Sequence, residues 1–78
     1  MAIGFVLITT MPGREHDVYT ALKKVSEIKE LYPVFGDYDI IAKVEAKDQD
    51  TLGAVVIDKI RSIPGIADTK TLTAGFEM

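Results

Sequence analysis

Hydrophobic and polar positions alternate along the middle of the chain, over residues 30–35 and 38–46. Gly36 and Asp37 interrupt the alternation, and a Gly-Asp pair between two alternating runs is typical of a β-hairpin turn. We therefore predict two antiparallel strands joined by a tight turn at Gly36-Asp37. The remaining pattern predicts a strand and a helix before this hairpin, and a helix and a strand after it.

The first part of the chain predicts a buried strand followed by an amphipathic helix. Residues 2–10 are apolar at nearly every position and rich in β-branched side chains, as in strands covered on both faces. Pro12 and Gly13 end the strand, because proline has no N–H to donate and glycine permits a turn. From residue 14 to about residue 26 the apolar period becomes helical. The apolar face of this helix comprises Val18, Ala21, Leu22, Val25 and Ile28.

A second helix and a last strand follow the hairpin. Asp48 is placed as the N-cap of a helix over residues 49–63, and Pro64-Gly65 ends that helix. Residues 66–76 alternate loosely, which predicts an edge strand. Because alternate residues of a strand share a face, Thr69, Thr71 and Thr73 lie on one side.

This order of elements predicts an α+β protein with the ferredoxin-like β-α-β-β-α-β fold, as a single domain over residues 1–78. Right-handed crossovers place the first and third strands in the middle of a four-stranded antiparallel sheet, with both helices on one face. The first strand is apolar on both sides, so the other face of the sheet would expose apolar side chains to water. We therefore predict dimerisation through the sheet.

Composition supports self-association and excludes several kinds of site. A 78-residue chain has a small core, and 47% hydrophobic residues are too many for a single copy of the chain to bury. The absence of cysteine excludes disulfides, and a single histidine, His16, argues against a metal site. The net charge of −3, with no basic face, argues against direct binding of nucleic acid.

The apolar N-terminus is too short for a membrane span and lacks the features of a secretory signal. We therefore expect a soluble cytoplasmic protein with no membrane partner.

Polar groups collect at the end of a predicted strand, in Gly36, Asp37, Tyr38 and Asp39. Backbone groups at such a corner, together with the Asp39 carboxylate, are suited to a small zwitterion, with the carboxylate pairing an α-ammonium group. The same residues are also typical of a plain turn, in which Asp39 accepts backbone hydrogen bonds at the strand start. Both interpretations stay open.

Thr69 and Thr71 form the second candidate pair. Their spacing places both hydroxyls on one face of the last strand, where they can bond a ligand carboxylate or amide. The alternative is that threonine is present for its strand propensity alone.

No catalytic residue or cofactor is predicted. His16 has acidic neighbours that point away from it on a helix, and no serine or cysteine is placed as a nucleophile. The sequence contains no phosphate-binding glycine loop and no zinc-ligand spacing.

Three motifs, YPVFGDYDIIAKVEAKD, KIRSIPGI and TKTLT, follow one another in the order seen in a known family. Over nearly its whole length the chain resembles the C-terminal ligand-binding domain, or RAM domain, of the Lrp/AsnC transcription regulators. The resemblance implies the same fold, dimers formed through the sheets, and rings of eight or ten chains. It also implies that free amino acids bind as effectors at the seams between dimers.

The resemblance assigns roles to individual positions. It places Gly36, Asp37, Tyr38 and Asp39 in the loop that holds the effector, and Thr69 and Thr71 on the strand that faces it. Ile63 and Pro64 are candidates for the contribution of the neighbouring dimer. Phe35 stands where many members have a small hydroxyl residue, which favours an effector with an apolar or larger side chain. The tail, residues 73–78, also departs from the family pattern.

Lrp/AsnC regulators carry a helix-turn-helix ahead of this domain, whereas here the first predicted strand begins almost at Met1. We therefore expect a stand-alone sensor domain that modulates transcription by assembling with a full-length Lrp-like regulator. Two alternatives remain. One is a small dimeric ferredoxin-like enzyme of the monooxygenase or isomerase type, which needs a titratable residue inside its core. The other is a purely structural oligomerisation domain.

Overall fold

The computed structural model describes residues 1–74. These residues form four strands and two helices, in the order β1 (Ala2–Thr10), α1 (Glu15–Leu22), β2 (Ile28–Pro33), β3 (Ile40–Ala46), α2 (Gln49–Val55) and β4 (Ile66–Ala74). Helix α2 continues directly into a π-helical turn, Val56–Ile60.

The four strands form one antiparallel sheet with the order β2-β3-β1-β4. The first and third strands lie in the middle, as the sequence predicted, and the α+β ferredoxin-like fold is confirmed. The register places Val6 of β1 opposite Ala42 of β3 on one side and opposite Thr71 of β4 on the other. This register decides which side chains share a face.

The hydrophobic core lies between the sheet and the two helices. Val6 and Ile8 of β1 have no solvent exposure, and Val18, Leu22 and Leu52 from the helices pack against this face. The other core residues are Ala2, Ile40, Ala42, Val44, Val55, Val56 and Ile60. Thr10 is the one buried polar side chain among residues 1–74, so the core offers no titratable group.

The predicted tight turn at Gly36-Asp37 is wrong. Pro33 pairs with Ile40, so the six residues 34–39 form the loop, and the backbone N–H of Val34 donates to the carbonyl of Asp39 at 2.9 Å. A type I′ hairpin turn needs a positive φ at both central residues, but only Gly36 has one, at 115°. The chain therefore takes a longer loop between β2 and β3.

Helix α1 is shorter than the predicted range of residues 14–26. After Leu22 the chain makes tighter bonds, from the N–H of Lys24 to the carbonyl of Ala21 and from Val25 to Leu22, each at about 3 Å. Such three-residue bonds close a last helical turn. Ile28, predicted on the helix face, already belongs to β2.

The second helix begins as predicted and ends differently. The Asp48 side chain accepts a hydrogen bond from the N–H of Thr51 at 2.7 Å, which confirms the N-cap. The α-helix then gives way at Val56 to a π-helical turn, closed by the N–H of Arg61 bonding the Val56 carbonyl at 2.8 Å. β-branched residues crowd the helix at this point, which weakens regular α-helical packing. The last predicted strand runs to Ala74, and residues 75 and 76 lie outside the described range.

Candidate functional site

Asp39 fastens the β2–β3 loop to the end of the central strand β1. Its Oδ2 accepts hydrogen bonds from the N–H of Thr10 at 2.8 Å and from the Thr10 hydroxyl at 3.1 Å. Its own N–H donates to the carbonyl of Ile8 at 2.9 Å. Asp39 therefore accepts a backbone hydrogen bond at the start of β3, which is one of the two interpretations drawn from the sequence. Both side-chain bonds go to one oxygen of the carboxylate.

The other loop residues stand farther from the protein body. Gly36 and Asp37 are exposed, and Tyr38 is half-buried. Gly36 has a φ of 115°, and a Cβ added there would meet no atom within 4 Å. Glycine is thus required at this position by backbone conformation and not by crowding.

A cleft opens between this loop and the start of α1. It has a volume of about 240 Å³ and is lined by Glu15, His16, Tyr19, Pro33, Asp39 and Ile40. Glu15, one of the lining residues, accepts a hydrogen bond from the N–H of Gly13 at its Oε1, with a distance of 3.2 Å. The sequence did not predict this cleft, because α1 and the loop are brought together by the fold and by no local motif.

Thr69 and Thr71 lie on the helix-facing side of β4, with Thr69 half-buried and Thr71 exposed. Thr71 borders a groove between α2, its π-helical turn and β4, which we call the α2–β4 groove. The groove measures about 350 Å³, and its lining residues are Gln49, Leu52, Gly53, Val56, Ile57, Arg61, Thr71 and Thr73.

Within one chain the two predicted halves of the site do not meet. Thr69 pairs with Ile8, and Ile8 pairs with Ile40 on its other side. Thr69 and Ile40 are thus two strand spacings apart, or roughly 10 Å. The loop lies toward the β2 edge of the sheet and the groove lies at the β4 edge. The two halves are therefore not in direct contact within one chain.

Ile63 and Pro64, the other candidates, follow the π-helical turn. Ile63 is half-buried and packs against the core, whereas Pro64 is exposed. Gly65 then turns the chain with a φ of 101°. Only Pro64 of these two is therefore well placed to touch another molecule.

The face of the sheet opposite the helices carries apolar side chains that no part of residues 1–74 covers. Phe5, Leu72 and Tyr32 have exposed fractions of 36%, 51% and 51%. Leu7 and Ile41, paired across β1 and β3, lie half-buried beside them. This uncovered face is the one that the sequence predicted from the two apolar sides of β1.

A polar group of three residues lies on the same face. The Tyr32 hydroxyl donates to Glu30, and Lys43 approaches Glu30 at 3.4 Å. The hydrogen bond from Tyr32, followed by that from Lys43, lowers the pKa of Glu30, and the same bond to Glu30 raises the pKa of Tyr32. Glu30 therefore stays ionised on this face at neutral pH.

Residues 1–74 contain no group of three or more acidic, histidine or cysteine side chains that could hold a metal ion. Over the same residues, no helix has the length and apolar character needed to cross a membrane.

The chain is thus an α+β domain of the ferredoxin-like class, with one sheet face uncovered and a solvent-exposed polar loop. The model of the Lrp/AsnC ligand-binding domain matches residues 3–74, and the chain belongs to this family.

Relatives and solved structures agree with this assignment. The HTH-type transcriptional regulator FL11 of Pyrococcus abyssi is 37% identical over 90% of this chain, and the match covers 46% of FL11. The chain thus spans about half the length of the curated relatives it matches. The crystal structure of FFRP-DM1 is 39% identical with a TM-score of 0.90, covering 95% of this chain and 99% of that one. The structure of Escherichia coli AsnC is 28% identical with a TM-score of 0.90, covering 97% of this chain and 52% of that one.

Proposed function

We propose that this chain senses a free amino acid, which it binds between dimers of a larger assembly, and that it modulates transcription by joining a full-length regulator of its family. The single observation that carries the proposal is the family match over residues 3–74, to a domain described as ligand-binding. Relatives such as FL11 are transcriptional regulators. Because that regulator acts on DNA, we place the assembly in the cytoplasm.

In the proposed site the β2–β3 loop of one chain holds the backbone of the amino acid. Thr10 bonds only Oδ2 of Asp39, so Oδ1 is offered to an α-ammonium group. The exposed backbone at Gly36 and Asp37 offers N–H groups to the α-carboxylate. In this proposal Thr69 and Thr71 of another chain complete the site, because the two halves are not in direct contact within one chain.

The proposed coupling of ligand to assembly needs no internal conformational change. A ligand that binds between two dimers binds only the larger assembly in which those dimers touch. It therefore stabilises the larger assembly by mass action. The assembled form, as octamer or decamer, therefore grows with the concentration of the amino acid. A full-length regulator that shares the same surfaces would join the assembly in place of a second copy.

The test is thermal unfolding of the chain with each of the twenty amino acids, together with its mass by light scattering. We expect one amino acid, or a few related ones, to raise the melting temperature increasingly with concentration and to increase the mass. At a hundred times the dissociation constant the stabilisation reaches about 2.7 kcal/mol. If no amino acid changes either quantity, the proposed function fails.

Thr71→Val separates ligand binding from a purely structural role of the strand. Valine keeps the branched shape and removes the hydroxyl, and Thr71 is exposed, so the unliganded melting temperature should not change. We expect at least a tenfold weaker affinity for the amino acid, equal to about 1.4 kcal/mol. Thr20→Val, on the exposed side of α1, is the matched control and should bind as the wild type does. Equal affinity in both variants would favour the structural alternative.

The same observations support a protein that is not an enzyme. The space between helices and sheet is filled by apolar side chains, and the relatives are regulators. The enzyme alternative needs a titratable group in that space.

A further inference from the structure

Phe35 is the most exposed large hydrophobic side chain among residues 1–74, with an exposed fraction of 104%. It stands in the β2–β3 loop, and we call residues 34–37 the tip. Gly36 and Asp37 beside it are also exposed. A phenylalanine presents an apolar surface of roughly 150 to 250 Å² that is favourable to remove from water. Nothing in residues 1–74 covers it.

The α2–β4 groove has the shape and chemistry to receive such a side chain. Leu52, Val56 and Ile57 line it, and Ile57 is 59% exposed. Gly53 leaves space inside it, since a Cβ added there would meet no atom within 4 Å. The volume of about 350 Å³ lies at the lower end of the range of roughly 300 to 1,000 Å³ for small-molecule sites. This is enough for one aromatic side chain.

The tip and the groove are on opposite sides of the molecule. The tip joins β2 and β3, whereas the groove borders β4, and β2 and β4 are the two edges of the sheet. Three strand spacings, or roughly 14 Å, separate those edges. A contact between tip and groove must therefore join two chains, and each chain offers one of each surface.

The tip and the α2–β4 groove carry opposite charges. The tip carries Asp37 two residues after Phe35, and Arg61 lies at the rim of the groove. Within residues 1–74 neither side chain takes part in a salt bridge. Opposite charges at the rim of an apolar contact favour the correct partner and orientation.

We infer that the tip of one copy docks in the α2–β4 groove of a second copy, with the Phe35 ring in the groove and the Asp37 carboxylate beside Arg61. This inference rests on the proposed assembly of dimers and specifies the surfaces that join one dimer to the next. It also explains how the two halves of the ligand site come together, because the tip carries Gly36 and the groove carries Thr71.

The test compares the masses of variants of the 78-residue chain by light scattering at one protein concentration. We expect the wild type to exceed the mass of a dimer and Phe35→Ser to fall to it, whereas Phe35→Leu keeps the wild-type mass. Gly53→Met, which adds a long side chain at a position where a Cβ meets no atom of the chain, should block the groove and also fall to a dimer, whereas Gly53→Ala should assemble.

Mixing the two defective variants gives a result that misfolding cannot imitate. The Phe35→Ser dimer keeps its grooves, and the Gly53→Met dimer keeps its tips. Their mixture should therefore regain a mass above that of a dimer, with both variants in the complex. In the same way, Asp37→Arg combined with Arg61→Asp should restore the assembly that either reversal alone weakens.

The inference is overturned if the wild type is never larger than a dimer, if Phe35→Ser or Gly53→Met keeps the wild-type mass, or if their mixture contains only dimers. Loss of amino-acid binding by Gly53→Met at unchanged mass would instead assign the groove to the side chain of the ligand, and would also overturn it. The proposed function is judged separately, by whether an amino acid stabilises the wild type. If Phe35→Ser keeps the wild-type mass and an amino acid still stabilises the wild type, the docking inference fails and the proposed function stands.

Discussion

Asp39 shows how one residue serves both the fold and the candidate site. Its carboxylate accepts two hydrogen bonds from Thr10, the one buried polar side chain within residues 1–74. These bonds hold the β2–β3 loop against the central strand. A ligand that pairs with the remaining oxygen therefore binds a carboxylate whose position is already fixed, which reduces the entropy lost on binding.

Replacing Asp39 by alanine should lower the free energy of unfolding by about 2 kcal/mol, because the hydrogen bonds to an ionised group are lost and Thr10 is left without its partner. Urea unfolding at a fixed protein concentration measures the change. Asp37→Ala is the control in the same loop, and its effect should stay within about 0.5 kcal/mol, because Asp37 is exposed. Equal stability of the two variants would contradict the structural role of Asp39.

At the scale of single residues, the sequence indicated what kind of interaction a side chain makes, but not which residue it makes it with. Asp39 was expected to accept backbone hydrogen bonds or to bind a ligand, but its partner Thr10 lies 29 residues away in the chain. Only the assembled sheet brings the two together. The complete exposure of Phe35 could not be predicted either, since an apolar residue beside a strand is more often buried.

Among the elements, the junction between the second helix and β4 depends on Gly65. Its φ is 101°, and a Cβ there would come within 3.0 Å of Arg14 Cβ and of Val18 Cγ2. The glycine therefore allows α1 to approach this turn closely. The N–H of Met11 bonds the Gly65 carbonyl at 2.7 Å, so the turn also meets the end of β1.

Gly65→Ala should destabilise the protein by roughly 1 to 3 kcal/mol, because the φ is unfavourable for alanine and the methyl group has no space. Gly53→Ala is the matched control within α2, where the new methyl group meets nothing and helix propensity improves by about 1 kcal/mol. Thermal unfolding of both variants at one concentration should therefore give melting temperatures on opposite sides of the wild type. A Gly65→Ala variant as stable as the wild type would show that the turn can adjust.

Element order and type followed from periodicity, whereas element ends did not. Val18, Leu22 and Leu52 were predicted on the apolar faces of the helices and are buried in the core. The π-helical turn at Val56–Ile60 was not predicted, because it is a local change in hydrogen bonding that leaves the apolar pattern intact. The exposed Gly53 within that helix was the available signal of an open groove.

On the scale of the whole molecule, the uncovered sheet face is the surface on which the proposed dimer is built. On this face Phe5 of the central strand β1 lies opposite Leu72 of the edge strand β4. Lys43 pairs with Phe5 on the other side, and its salt bridge to Glu30 borders the apolar side chains of this face. A second copy that covers this face must accommodate both features.

Leu72→Glu should convert the protein into monomers, because it places an unpaired charge in the apolar surface that the proposed dimer would bury. The side chain is 51% exposed in the single chain, so the variant should still fold. Sedimentation velocity measures the mass, and Thr20→Glu adds the same charge on the exposed side of α1 as a control. If Leu72→Glu sediments with the wild-type mass, this face does not form the dimer.

If the uncovered sheet face forms the proposed dimer, the lifetime of the chain depends on the number of copies a cell makes. At low copy number most chains are single, and Phe5 and Leu72 remain accessible to proteases and chaperones. Above the concentration at which the proposed dimer forms, this surface is buried and neither proteases nor chaperones can reach it. Turnover should therefore show a threshold in the rate of synthesis, with scarce chains degraded quickly and abundant ones retained.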